Sequence, residues 1–561
     1  MLPLIGPDCN TSSSWLCIEP ANAGTAASTF GFSEYLAALA LLLVVFAISD
    51  FKYRYRFELT RLDWRKIAFY VSITIGALIL VVDLYFYKKW PVISILNDPN
   101  VLKLGLGAIF LILVFFLYRI AFLRPPIFNA RNSQAYFLAM RHHVARGNPD
   151  HLVVVADELE FSIKSVLSLA AYANPRGSTC RGGAEDAHEL MLLLADRKLC
   201  RVMVDRSPVV VAKLFRYASE LGTPPRSFGL FARNAGAELV TNEKSSLHTE
   251  DSGYDSGYFG YTKPVTRSVF GQFDLVERLA REHCSPLNPW RQSGSEFNPK
   301  QLEAYARASM IFMESYLNSS QKQQHSTAFL QILDLFSHAT HGLYKLNGST
   351  VEYSSIEARK LRITVRFLND LVSLVDRSGI DHEGALKPRN HLNLGIHDRI
   401  AKVIMNILRD VSGVREPVWT CWSIQYNGAW VDLFGGYNMN PAWKVVNFKV
   451  RRLLYEEIKA IPYETFFQGA SYLGLCLNVF GLNKGPIGGF SRGFNPLKEA
   501  VLRWTKKNYL SLMEEYPDVA THCILGSISF DAAGKRLVKT YEKGIRREIP
   551  REHLILDGPE Q

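Results

Sequence analysis

At 561 residues the chain is long enough for two or three folded units, which speaks against a single domain. Hydrophobic residues make up 48% and charged residues 21%, and the net charge of +11 is a mild excess that argues against an obligate nucleic-acid binder. Eight cysteines with no CxxC pair argue against a disulfide framework or a zinc ribbon, so the bulk of the chain reads as reduced.

Residues 1–34 contain no Lys or Arg, and residues 1–33 read as a short extracytoplasmic tail. Cys9 and Cys17 lie in this tail, where an oxidising compartment would allow them to pair. Three uncharged apolar runs follow at 35–49, 67–82 and 104–118, each of 15 or 16 residues. At about 1.5 Å per residue such a run covers about 22–24 Å of a roughly 30 Å hydrocarbon layer, so the aromatic and basic flanks complete each span. We therefore expect a three-helix transmembrane region over 34–123. The basic residues fix its orientation: 50–66 carries Lys52, Arg54, Arg56, Arg61, Arg65 and Lys66, and Arg119, Arg124, Arg131 and Arg141 follow the third run. That places the N-terminus outside and the C-terminal domain in the cytoplasm, at a cell membrane such as a bacterial inner membrane. Within the spans Asp83 is the lone ionisable residue, which argues against a transporter midplane. Gly76, Gly105 and Gly107 allow close helix contact, within one copy or between copies.

Beyond Pro125-Pro126 the pattern changes. A capping residue followed by Pro recurs at Asn148-Pro149, Ser207-Pro208, Asn298-Pro299, Asn440-Pro441 and Asn495-Pro496, a helix-start signal. Gly222, Gly379 and Gly413 stand where helices should stop. Helical spacing is clearest at 302–318, 326–345, 355–377, 396–411, 442–460 and 496–513. Helical domains are expected over 124–290 and 291–413. Strand signals gather at 414–561: Asn427-Gly428 between apolar runs predicts a hairpin, and a second is predicted between 523–530 and 536–541, giving this part an α+β character. The fold class is thus a membrane protein with three N-terminal transmembrane α-helices, a mainly α-helical soluble domain and a smaller α+β C-terminal part.

Two irregular stretches invite a binding role. Residues 241–264 form a polar Gly/Ser/Tyr loop in which Tyr254, Tyr258 and Tyr261 offer rigid contact surface for a partner or a stacking ligand. Residues 481–493, GLNKGPIGGFSRG, bring several backbone donors together without the Gly-Lys-Ser/Thr of a phosphate loop, and read as a plain loop. The basic stretch after residue 535, interleaved with Glu542, Glu548 and Glu552, reads as a solvated face, and His142-His143 as surface residues.

Catalytic constellations are sparse. A metal hydrolase of His-Asp type would draw on His338, His341, His397, Asp398 and Asp410, yet one His-Asp dipeptide among 14 histidines is expected by chance. No cofactor motif is present, and none is expected to be bound. The reading that follows is a membrane-anchored cytoplasmic sensor or scaffold at the inner face of the membrane. Its partners are the lipid bilayer and a protein, or a second copy held through the membrane helices and the cytoplasmic domain; nucleic acid is disfavoured. The alternatives are an oligomeric pore-forming or membrane-perturbing effector, a layout shared by bacterial defence proteins, and a membrane-tethered hydrolase or nuclease.

Overall fold

In the computed structural model the described residues are 18–20, 31–48, 50–93, 98–123, 125–173, 183–250, 263–289, 296–320, 325–349, 354–382, 384–386, 394–435, 440–485, 493–541 and 551–557. They are mainly helical, with a small three-stranded sheet near the C-terminus. The chain divides into two units, Met1–Val210 with Thr223–Phe228 and Val211–Gly222 with Gly229–Gln561.

The first unit begins with β1 (Ile18–Pro20), which pairs antiparallel with β2 (Pro91–Ile93). Helix α1 (Phe32–Ile48) follows, then α2 (Phe51–Glu58), α3 (Trp64–Tyr87) and α4 (Pro99–Tyr118), the last continued by a wide turn over Arg119–Leu123. Two of the three expected spans, Trp64–Tyr87 and Pro99–Leu123, are long and apolar enough to cross a membrane, whereas α1 has 17 residues, about 26 Å. The reason lies at its ends. The Gly31 amide is held by Glu34 Oε2 at 2.8 Å, and α2 begins at Phe51 behind its N-cap Asp50. Tyr35, Ile75, Ile79 and Phe110 form the core joining α1, α3 and α4, with the Tyr35 and Phe110 rings edge to face at 5.4 Å. Gly76 lets Tyr35 in: a Cβ there would sit 2.9 Å from the ring. A Cβ on Gly105 would meet nothing within 4 Å, and Gly107 is buried. Lys103 and Asp83 form an ion pair that ties α4 to α3.

Helices α5 (Ser133–Arg146), α6 (Pro149–Leu159), α7 (Ile163–Ala171), α8 (Ala184–Leu194) and α9 (Arg197–Arg206) complete this unit. The Asn148 side chain accepts from the Asp150 amide and Pro149 opens α6, as its sequence predicts. Gly183, at φ +84°, lets the start of α8 lie on Ala130 and Ser133, atoms an added Cβ would meet at 3.0–3.2 Å.

In the second unit the helices expected from spacing are present at Pro299–Asn318, Thr327–Ala339, Ile356–Arg377, Ile396–Ser412, Pro441–Lys459 and Asn495–Glu515. Asn298 and Gln301 form a full capping box, and Asn440 accepts from the Trp443 amide at 2.8 Å. Ile396–Ser412 is central and packs on Thr327–Ala339, Pro441–Lys459 and Phe466–Phe480.

The Asn427-Gly428 hairpin does not form. Helical turns run from Val418–Trp422 through a wide-turn segment, Ser423–Val431, to Asp432–Phe434. Cys421, Ile424, Gln425, Gly428 and Ala429 are buried, a stripe of helical period rather than an alternation. Gly428 lies close under Leu361, whose Cδ2 an added Cβ would meet at 3.4 Å, a contact at the edge of the ordinary range. The second hairpin is present: β3 (Ile528–Asp531) pairs with β4 (Arg536–Thr540), and Asp531 accepts from Gly534 N and Arg536 Nε. A third strand, β5 (Arg551–Ile555), pairs antiparallel with β4. It overturns the solvated reading of the basic stretch in part, because Lys539 and Glu552 are 2% and 1% exposed. Glu552 accepts from the Leu482 amide at 2.7 Å, and Lys539 donates to the Asn478 carbonyl.

Candidate functional site

The segment 50–66, expected as a basic loop, folds in part into α2, whose sequence FKYRYRFE alternates aromatic and basic residues. Tyr55, Arg56 and Phe57 are buried. Phe57 packs with Leu113, Leu117 and Ala121 at the end of α4. Arg56 is 6% and Glu158 of α6 is 1% exposed. Arg56 Nε and Nη2 donate to the two Glu158 carboxylate oxygens at 2.9 and 2.8 Å, a planar fork matched to a carboxylate. Its remaining nitrogen, Nη1, donates to the Ala121 carbonyl at 2.5 Å, an oxygen in the wide turn that ends the apolar helix. One guanidinium therefore ties α2, the end of α4 and α6 together. Lys52 Nζ approaches Glu158 at 3.6 Å from the more exposed side.

Beside this pair lies a ring cluster. Phe51 stacks on His151 at 3.8 Å between centroids with 4° between planes, and meets His143 edge to face at 4.9 Å. His143, expected at the surface, is 4% exposed, and its Nε2 lies 2.9 Å from Glu58 Oε2. Burial beside Tyr136 and two glutamates pushes the Tyr55 hydroxyl well above its ordinary value, so it stays a neutral group in this cluster. Asn132, also buried, donates to the Leu59 and Ile127 carbonyls and fixes the entry to α5. An apolar groove of about 340 Å³ opens alongside, lined by α1, α2 and α4 through Ala38, Leu42, Tyr53, Phe57, Val114 and Phe122.

The sequence marks Lys52 and Arg56 only as charges beside the apolar runs and His143 only as a surface residue, and it marks none of these residues as part of a site. A signal was nevertheless there for Glu158, because it falls in register with Val155 and Leu159 on the buried stripe of α6. A carboxylate on an apolar stripe requires a cation in the fold. Nothing local sets Arg56 apart from the other cations of 50–66.

The residues that the sequence did single out separate into two sets in the second unit. His397 Nε2 meets His382 Nδ1 at 3.1 Å, and His382 Nε2 faces Asp376 at 3.5 Å. Asp398 accepts from the Gly395 amide at the start of its helix and pairs with buried Lys449 at 2.5 Å. Asp410 is twelve residues further along the same helix, about 18 Å along its axis, so it cannot share an ion with His397 or Asp398. It accepts instead from Thr340 Oγ1 at 2.7 Å, near His341, whose ring is 4.7 Å from that of His338. Burial pushes the Asp410 carboxyl upward, partly offset by Thr340 and by His341. Among the described residues no group of three or more His, Cys, Asp or Glu is placed to hold a metal ion. Cys200, Cys421, Cys476 and Cys523 are buried, and burial pushes the Cys421 and Cys523 thiols up to about 12, so they pack as small hydrophobes.

Tyr254, Tyr258 and Tyr261 lie outside the described residues, as do Cys9 and Cys17. The two ends of the 241–264 stretch are structured. Ser246–Thr249 is a short helix, and the buried Glu250 carboxylate accepts from the Val265 and Thr266 amides at 3.1 Å, capping Pro264–Phe270.

No family model matches this chain, and none of the curated proteins does. Among solved structures, one chain of the SYS-1/POP-1 crystal complex aligns over 74% of this chain and 80% of its own, at 10% identity and a TM-score of 0.21. A likeness that low carries no argument about fold or function.

Proposed function

We propose that this protein is a membrane-anchored sensor or scaffold, held in a cell membrane by its N-terminal helices, with its large helical part at the cytoplasmic face. The observation that carries the reading is the three-way grip of Arg56 on Glu158 and the Ala121 carbonyl. It welds the end of an apolar helix onto the helical layers behind it, as a receptor or scaffold needs and a loose tether does not. Two helices of sufficient length and apolarity support it, and α1, about 26 Å long and completed by its flanks, is the third crossing that an outside N-terminus and an inside C-terminal part require. Exposed side chains on the two longer helices, among them Leu80, Leu84, Leu104, Leu111, Ile112 and Phe115, support it too. Water is a poor solvent for such surfaces, and acyl chains are a good one. The basic residues of 50–66 support the orientation. Its partners are the lipid bilayer and a protein bound by the helical part.

The test is extraction and labelling. Full-length protein is expected to stay in the membrane pellet through alkaline carbonate. After reduction, an impermeant maleimide should reach Cys9 and Cys17 in intact cells or spheroplasts. Release into the carbonate supernatant, or labelling only after lysis, would reject the anchoring or the orientation respectively.

A second reading, an oligomeric pore-forming effector, draws on Gly105. Its open surface in a single copy leaves room for the backbone of another.

A further inference from the structure

The second unit contains a cationic cavity of about 460 Å³ that neither reading uses. One wall is a face of the Asn495–Glu515 helix carrying Lys498, Leu502 and Lys506 at four-residue spacing, hence on one side, with Arg503 beside them. Lys484 and Gly485 line it from the start of the glycine-rich stretch, and Leu554 of β5 closes it. Four cations face a single lining carboxylate, Glu499. Lys498 is only 6% exposed, and its ammonium is positioned by a 2.8 Å bond to the Gly485 carbonyl. Lys506 is fixed by Asp557 at 2.7 Å.

Lys506 already has a carboxylate in Asp557, yet the cations lining this concave space outnumber the carboxylates beside them, and such a space concentrates positive potential that favours an anion. Leu502 and Leu554 add an apolar surface, and the volume lies within the roughly 300–1,000 Å³ of small-molecule sites. The geometry points to a binding site for a phosphate-bearing small molecule, its phosphate oxygens taken by Lys484, Lys498, Arg503 and Lys506 and its apolar part laid on the two leucines. A soluble phosphate compound or the phosphorylated headgroup of a lipid supplies this chemistry. The site stands whether or not the chain is anchored in a membrane, and its readout is separate from carbonate extraction.

The test uses full-length protein in detergent, with ATP and inorganic pyrophosphate as soluble probes in calorimetry. In parallel, the protein is reconstituted into nanodiscs of phosphatidylcholine with and without a phosphoinositide, and thermal stability is read. Wild type is expected to bind at least one probe, with affinity falling as salt rises. Lys484→Gln with Arg503→Gln is expected to weaken binding at least tenfold, with unchanged circular dichroism and Tm. Lys498→Met, which also removes the bond to Gly485, is the second variant and should abolish binding. Binding of ATP or pyrophosphate assigns a soluble ligand, and stabilisation by the phosphoinositide alone assigns a headgroup. Failure of wild type to respond to every probe, or full binding by the folded double variant, overturns the site.

Discussion

At the scale of single residues, Arg56 and Glu158 form the buried pair that joins three elements of the first unit. Breaking a buried pair from one side strands the other ion and costs about 3–5 kcal/mol, whereas removing both ions together costs far less. Glu158→Leu is therefore expected to lower the Tm of the detergent-solubilised protein sharply. Arg56→Leu should cost less, because Lys52 remains 3.6 Å from the carboxylate. The double variant should recover most of the loss, measured as a double-mutant cycle; additive losses would show that the pair is not a coupled unit. The sequence shows why these residues stayed hidden. Arg56 sits among five other cations, and only the partner's place on an apolar stripe marks it. His397, Asp398 and Asp410 were conspicuous because histidine and aspartate carry chemistry, yet local needs account for their contacts. Asp398 holds a helix start and a lysine, and Asp410 accepts from a neighbouring threonine.

At the scale of elements, caps and periodicity were the most readable features, because they are local. Asn298, Asn440 and Asn148 act where the sequence places them, and Gly222 and Gly379 both adopt positive φ just beyond their helices. Gly413 follows its helix without doing so, at φ −72°. The Asn427-Gly428 signal misled because glycine answers two demands, a positive φ in a turn or a close approach in a helix, and only the tertiary neighbour Leu361 decides between them. Gly428→Ala separates the two. In a helix it gains up to about 1 kcal/mol, less whatever displacement Leu361 needs, so the Tm should hold or rise; a hairpin would lose its turn. A fall of several degrees would contradict the helical assignment. Strand β5 was missed because its alternation buries Glu552, a residue that reads as exposed until the Leu482 amide is seen to face it.

At the scale of the molecule, anchoring and conduction are separable by Gly105. Because a Cβ there meets nothing within 4 Å in one copy, Gly105→Leu is expected to leave that copy intact and to obstruct contact with another. Cells producing the full chain are expected to keep their membrane potential, read with a voltage-sensitive dye, and Gly105→Leu should change nothing. Depolarisation by the wild-type chain that Gly105→Leu abolishes would install the pore reading instead. The grip of Arg56 also imposes an order on biogenesis. Its carboxylate partner lies 102 residues later in the chain, so at about 5–20 residues per second the ribosome delivers it some 5–20 s after the arginine. In that interval the guanidinium is a free positive charge able to fix the orientation of the nascent helices. Once Glu158 emerges it becomes a structural bolt, so on the proposed anchoring one residue would act first as a topological signal and then as a lock on the topology it helped to choose.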